Sequence, residues 1–326
     1  MTVNYDFCGD LFGKISKAFL NGNSKFLFWG LTEDCLHVLS MMRNNGLEKY
    51  VIGIIDDKFS GSNFQISAVN IFSASEVSKL EFDVLVVTDD KGKENALRQF
   101  IAVDRRMPLV IISGIGHLEF DDEEFYKIKS SCLVKSNATG YSNTLIHIYQ
   151  TIKYLHNSGI SGDVAEFGIF KGGTISFIKS VLNHVGYEPD SINVFGFDCF
   201  SGFPGRESIL DMYSNPECEF KDYPAVQSYC ERLGIHVVEG NIKDTYKILS
   251  DKKLMLSFFD TDNYTPVKAA LEYCFDRTVR GGAIVFDHYT TKDEFVETIG
   301  ERMAAKEILS GKKVFHLHDT GVFIKI

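Results

Sequence analysis

Apolar positions along the chain fall into one recurring arrangement. Short runs rich in β-branched and aromatic residues end in Gly, Asp or Thr, and most lead into a stretch with apolar residues at helical spacing. Strands buried on both faces read as continuous apolar runs, and a helix must carry the chain back between them, so the recurrence predicts parallel βα units. In the first part, 25–29 (KFLFW) reads as a strand ending at Gly30, with a helix from about 34 to 45 after it. Further strands are predicted at 50–55 (YVIGII), 82–87 (FDVLVV) and 108–112 (PLVII), giving a Rossmann-like layer of about four strands. Residues 113–135, with Gly114, Gly116 and the acidic run 119–124, read as a connector, with a domain boundary near 125.

The second part carries more elements. A lead-in helix is predicted over 141–157, then a strand at 163–169, a helix at 174–185 and a strand at 192–197. A helix at 226–234 follows, with strands at 235–239 and 254–259, a helix at 266–275 and a strand at 282–286. The closing strands, 314–318 and 321–326, are separated only by Asp319 and Thr320, which makes them an antiparallel hairpin. The expected class is therefore α/β with two Rossmann-like domains, 1–125 and 126–326.

Length and charge narrow the function. At 326 residues each half is long enough to bury its own core. With 34 Lys and Arg against 44 Asp and Glu the net charge is −10, and no basic run occurs, which argues against nucleic acid and anionic membrane as partners. The seven cysteines are widely spaced without a CxxC pair, so a structural zinc site is not expected and reduced thiols are. The first residues lack the basic-then-apolar profile of a leader, and no apolar run approaches membrane-spanning length, which makes the cytoplasm the default location.

The turn after the first strand, Gly30-Leu31-Thr32-Glu33-Asp34-Cys35, lacks the second and third glycines of a dinucleotide fingerprint. Glu33 and Asp34 would also repel phosphate at a helix N-terminus, so no working NAD site is expected there. Asp56 and Asp57 either clasp a ribose or serve as ordinary turn residues.

Four motifs in the second part carry candidate chemistry. In 162–174 (GDVAEFGIFKGGT) a strand runs into glycines, and Glu166 lies within otherwise apolar sequence, where a lone carboxylate is costly unless a cation or backbone amides meet it. In 195–204 (FGFDCFSGFP), Asp198 ends the second strand, a position suited to a ribose diol or to a simple turn cap. In 258–266 (FFDTDNYTP), Asp260 and Asp262 leave the sheet together, and in 281–289 (GGAIVFDHY), Asp287 and His288 do the same. If these strands are neighbours the four side chains converge, and several carboxylates in one pocket call for a cation or a shared proton.

Together these motifs, in this order, resemble the macrocin-type sugar O-methyltransferases, over about 141–326. Five βα units and a closing hairpin are also the strand pattern of the class I methyltransferase fold. The resemblance implies S-adenosyl-L-methionine as cofactor and a divalent metal, usually magnesium. It puts Glu166 at the methionine end of the cofactor and Asp198 on its ribose. The glycine turn adds Gly168, Lys171, Gly172, Gly173 and Thr174 to the cofactor set, and Ser201, Gly240 and Asn241 complete it. Asp260 is the implied metal ligand and Asp262 the general base. Where the family usually carries a pair of Asp ligands, this chain has Asp287 and His288. Imidazole favours transition metals such as manganese over magnesium, and His288 is open to ligation, to base chemistry or to lining the pocket.

The expected acceptor is a sugar or nucleotide sugar, as in natural-product or polysaccharide biosynthesis; a small non-sugar hydroxyl is a milder alternative. A homo-oligomer is compatible with this reading. The stretch 201–224, with Pro204, Gly205, Met212, Tyr213, Pro216, Phe220, Tyr223 and Pro224, reads as a lid or acceptor wall, or else as a plain surface loop. Two rivals remain at this stage. One is a decayed methyltransferase fold acting as a scaffold; the other is a nucleotide-sugar enzyme using the first domain, whose own role would be accessory, in nucleotide-sugar binding or assembly.

Overall fold

The computed structural model describes residues 3–61, 66, 69–138, 143–188, 191–219, 222–290 and 295–326. The chain divides into two compact units, Met1–Asp121 and Asp122–Ile326.

The first unit contains α1 (Tyr5–Leu20), β1 (Phe26–Trp29), α2 (Glu33–Asn44), β2 (Val51–Ile55), β3 (Ile71–Phe72), β4 (Val84–Val87), α3 (Lys93–Val103) and β5 (Leu109–Ile111). The strands form one parallel sheet in the order β3-β2-β1-β4-β5. Its central strands, β1 and β4, are buried throughout, as their unbroken apolar runs require. On one face, Phe7, Leu11 and Ile15 of α1 pack with Val38, Leu39 and Met42 of α2. The other face buries Trp29, Val77 and Phe100. The sheet has five strands where about four were expected, because β3 spans only two residues and shows no period in the sequence.

The turn at Gly30 settles the choice left open for Asp56 and Asp57. Asp56 accepts from the backbone N–H of Leu31 and of Lys58, both at 3.0 Å. Asp57 accepts from Ala74 N–H at 2.8 Å. Thr32 caps α2, accepting from Cys35 N–H at 3.0 Å and donating to the Thr88 carbonyl at 2.9 Å. Asp56 is therefore engaged in turn chemistry, and Asp57 in a longer-range tie to the backbone at Ala74.

The second unit begins four residues ahead of the expected boundary, and the physical reason lies in α4 (Glu123–Ser131), a helix within what reads as a connector. Asp122 caps α4 through Glu124 and Phe125 N–H and accepts from the Tyr149 hydroxyl at 3.0 Å. Phe125 packs edge-on against Tyr149 and Phe177. Next comes α5 (Thr144–Asn157); its expected start at Tyr141 lies outside the described residues. The chain continues through β6 (Asp163–Phe167), α6 (Gly173–Val185), β7 (Val194–Asp198), α7 (Tyr223–Arg232), β8 (Ile235–Glu239) and α8 (Ile242–Thr245). It ends with β9 (Leu254–Phe259), α9 (Tyr264–Arg277), β10 (Thr278–Phe286), α10 (Ile299–Leu309), β11 (Val314–His316) and β12 (Val322–Lys325).

These strands form a seven-stranded sheet in the order β11-β12-β10-β9-β6-β7-β8. The five strands from β6 to β10 run parallel; β12 is antiparallel to both β10 and β11. This is the α/β arrangement of a class I methyltransferase. Five residues, not two, connect β11 to β12, and Asp319 adopts a left-handed φ of 61° within that connection. No sequence signal announced α10.

Register builds the top of this sheet. Phe197, Phe167, Phe259 and Phe286 are in-register partners across β7, β6, β9 and β10. Their rings stack at 4.7–5.3 Å between centroids. Each is the last apolar residue of its strand, so the next residues, Asp198, Gly168, Asp260 and Asp287, line up one step beyond an aromatic floor. Three acids and a glycine thus sit above a row of phenylalanines because three strands end in Phe-Asp and β6 in Phe-Gly.

Candidate functional site

A cavity of 380 Å³ opens above that floor. Its size is that of a small-molecule site, and it follows the rule that ligands of open α/β sheets bind beyond the carboxyl ends of the strands. Gly168, Asp198, Asn241, Asp260, Asp262 and His288 line it, with Phe203, Tyr213 and Phe295 among the ring-bearing walls.

Glu166 is the costliest residue of the site. It is 1 % exposed, and among the described residues neither carboxylate oxygen has a hydrogen-bond partner. Burial, reinforced by Asp198 and Asp287, raises its pKa well above the ordinary value. Gly168 follows two residues later at φ 94°, where a Cβ would lie 1.9 Å from the Asp260 carbonyl oxygen. Only glycine lets the loops after β6 and β9 approach so closely.

Asp198 is more heavily used than a simple strand-end cap. Its two oxygens accept from Phe170 N–H and Phe200 N–H, both at 2.8 Å. Both phenylalanines have left-handed φ angles, 47° and 53°, which an L side chain tolerates only with support. Burial raises the Asp198 pKa, and these amides oppose the rise. Each oxygen keeps a lone pair for a ligand hydroxyl.

The third cluster joins the ends of β9 and β10. Asp260, Asp262 and His288 place one donor atom each within 4.8 Å of one another. His288 Nε2 is 3.1 Å from Asp262 Oδ1 and 3.2 Å from Asp287 Oδ2. Burial first, then Asp287 and Asp262, raise the Asp260 pKa well above the usual carboxylate range. Asp262 itself sits at φ 61°. The donor set, carboxylate oxygens plus one imidazole, suits a divalent cation with some transition-metal character.

Glu301 is the functional residue that the sequence did not announce. It lies on α10, is fully buried, and accepts three backbone N–H groups: Thr261 and Asp262 at 3.1 Å and His288 at 3.0 Å. Burial pushes its pKa up to about 8. The available signal was a carboxylate in the buried stripe of a helix that also carries Ala304, Ala305 and Leu309.

The remaining expected cofactor residues scatter. Lys171 is exposed, its ammonium 4.6 Å from the Phe170 ring centre. Gly172 caps α6 beside Cys230, and Gly173 lies against the Lys135 carbonyl oxygen. Thr174 pairs its hydroxyl with Ser136 at 2.6 Å. Ser201 is exposed and bridges to Glu219. Gly240 donates to the Asp198 carbonyl, and Asn241, on the cavity wall, caps α8.

The loop after β7 forms one wall of the cavity and is stitched down on the far side. Asn263 and Tyr213 exchange two hydrogen bonds of 3.0 Å, side-chain amide to backbone. Asp211 accepts from the N–H groups of Glu207, Ser208 and Thr265 and from the Thr265 hydroxyl. Phe220 lies outside the described residues.

A family described as macrocin O-methyltransferase matches residues 136–325, and one described as C2185-like, N-terminal, matches 22–107. Mycinamicin III 3''-O-methyltransferase of Micromonospora griseorubida is 26% identical over 145 residues, 40% of this chain and 56% of that protein. A tetracenomycin-C rhamnosyl 4'-O-methyltransferase of Streptomyces olivaceus is 27% identical over 143 residues, 40% of this chain and 54% of its own length. The chain thus spans about half the length of the curated relatives it matches. Among solved structures, the O-methyltransferase NovP has a TM-score of 0.42 at 19% identity, covering 55% of this chain and 78% of its own. The calicheamicin methyltransferase CalS11 has a TM-score of 0.45 at 16% identity, covering 62% and 90%.

Proposed function

Because the chain belongs to the macrocin O-methyltransferase family, we propose that it transfers a methyl group from S-adenosyl-L-methionine to a sugar hydroxyl with the help of a divalent cation. The observation that carries the reading is Glu166, whose two buried oxygens have no hydrogen-bond partner among the described residues and which lies two residues before Gly168 of the cavity lining. A carboxylate so placed fits the ammonium of an amino-acid-bearing cofactor, and Asp198 beside it has lone pairs for ribose hydroxyls.

S-adenosylmethionine supplies the sulfonium-bound methyl group, and the cation supplies positive charge that makes a hydroxyl more acidic. Asp260 and His288 would hold that cation, with Asp262 in the same donor cluster and Asp287 3.2 Å from His288 Nε2, and the imidazole inclines the site toward transition metals over magnesium. Asp262 takes the hydroxyl proton onto a carboxylate oxygen as the hydroxyl oxygen bonds to the methyl carbon and the methyl–sulfur bond breaks, leaving S-adenosylhomocysteine. His288, 3.1 Å away, orients that carboxylate. The wall carrying Phe203 and Tyr213 shields the reacting atoms and receives the acceptor.

The acceptor is a free or nucleotide-linked sugar, in natural-product or surface-polysaccharide biosynthesis. For the first unit an accessory role in assembly is favoured over nucleotide binding, because the Asp56 carboxylate already takes the Leu31 N–H. The seven free thiols fit a cytoplasmic setting, and no helix among the described residues is long and apolar enough to cross a membrane. Radiolabelled methyl transfer to a panel of nucleotide sugars, with manganese and with EDTA, tests the proposal. Cation-dependent label in a sugar product is expected; cofactor binding without transfer to any hydroxyl acceptor would favour a scaffold instead.

A further inference from the structure

The two catalytic loops come from different strands, β9 and β10, and among the described residues the Glu301 side chain bonds to the backbone of both. One of its oxygens accepts from Thr261 and Asp262 N–H, and the other accepts from His288 N–H. These are the loops that carry Asp260, Asp262, Asp287 and His288. The need for such a tie is visible in the backbone. Asp262 holds a left-handed φ of 61°, and Asn263 N–H closes a tight turn onto the Thr261 carbonyl at 2.6 Å. A conformation of that kind persists only where its surroundings over-determine it.

The helix is in turn fixed against the acceptor wall. Gly300, next to Glu301, lies so close to the loop after β7 that a Cβ would sit 2.2 Å from the Leu210 carbonyl oxygen.

We infer that Glu301 is a positioning residue, which sets the distance between Asp262 and His288 by holding the backbone of both loops from beneath. It is not among the described residues that line the cavity. The inference rests on the methyltransferase reading only for the identity of the ligands, since the three hydrogen bonds exist whatever the site binds. Glutamine in its place offers one acceptor oxygen and an amide that faces N–H donors, so one loop is released whichever way the amide turns. Aspartate keeps the charge and both oxygens but retreats by one methylene, so it cannot reach both loops.

The test compares the full-length parent protein with Glu301→Gln and Glu301→Asp. Amide hydrogen exchange is read at Thr261, Asp262 and His288 against Phe258 and Val285 in the strands. Manganese alone is titrated by its paramagnetic resonance, and S-adenosylhomocysteine by calorimetry. Each variant should lose protection at the amides of the loop it releases, either Thr261 and Asp262 or His288, by about tenfold or more, with the strand amides unchanged. Manganese should bind about 10–100-fold more weakly. S-adenosylhomocysteine should keep its affinity within about twofold, because Glu166 and Asp198 sit on other strands. A merely structural role would move both ligands together, or neither.

Unchanged protection at the loop amides overturns the inference. So does parent-like manganese binding by Glu301→Asp beside weakened binding by Glu301→Gln, because charge rather than position would then be the cause. Should Glu301→Gln fail to fold, Glu301→Asp carries the same comparison. A parent that binds neither ligand sinks the proposed function, and the exchange pattern still decides the role of Glu301.

Discussion

Glu166 is buried without a partner, and the fold bears that cost in the absence of a ligand. Its folded pKa lies well above the ordinary 4.5, so the sign of the pH dependence follows. Below about pH 4.5 both folded and unfolded chains hold the proton. As pH rises through and beyond that value the unfolded chain releases it first, and stability is lost until the folded group titrates in turn. Glu166→Gln should therefore melt at or above the parent temperature near neutral pH, with a flatter pH dependence in scanning calorimetry. The same variant should lose about 2–5 kcal/mol of cofactor affinity, the cost of removing one partner of a buried charge pair. A variant that binds the cofactor like the parent would remove Glu166 from the site. Asp262→Asn should retain cofactor binding yet give no methyl transfer in the labelled-sugar assay; strongly lost cofactor affinity would argue that Asp262 is part of the cofactor site instead. Residues of this kind were legible in the sequence because each is an acid set against an apolar strand end. Glu301 was not, because an acid in the first turn of a helix reads as ordinary helix-terminal chemistry.

At the level of elements, the strands of the second unit were readable because their apolar runs end in the same Phe-Asp or Phe-Gly step. That repeated ending is also what aligns the acids across the sheet. Helices were less legible. The stripe of α10 mixes a glutamate with small alanines, and α4 was masked by the acidic run that caps it. The loop after β7 was open between a lid, a wall and a plain surface loop, and only its contacts with α9 separate these. Asp211 binds two N–H groups of its own loop and both the N–H and the hydroxyl of Thr265. Asp211→Ala should cost about 1–3 kcal/mol by leaving buried donors unpaired. At about 2–4 °C per kcal/mol for a unit of this size, the melting shift is measurable. Limited proteolysis should then cut between residues 205 and 215, where the parent resists; equal resistance would show that other contacts hold the wall.

At the scale of the whole molecule, a net charge of −10 and two α/β units leave the division of labour to their crevices. The second unit presents an acid-lined cavity, whereas in the first the Leu31 N–H beyond the glycine turn is bonded to Asp56. Trp29, the single tryptophan, ends β1 beside that turn and reports on it directly. Its fluorescence should not respond to NADH at concentrations that saturate ordinary dehydrogenases; quenching with energy transfer to the nicotinamide would restore a dinucleotide role to the first unit.

The central claim is that the second unit binds S-adenosylmethionine through Glu166 and Asp198, and calorimetric titration of that cofactor into the full chain, with and without manganese, tests it most directly. Saturable heat with a dissociation constant in the micromolar range, about −8 kcal/mol, is expected in the parent and not in Glu166→Gln. No binding heat from the parent under either condition would contradict it.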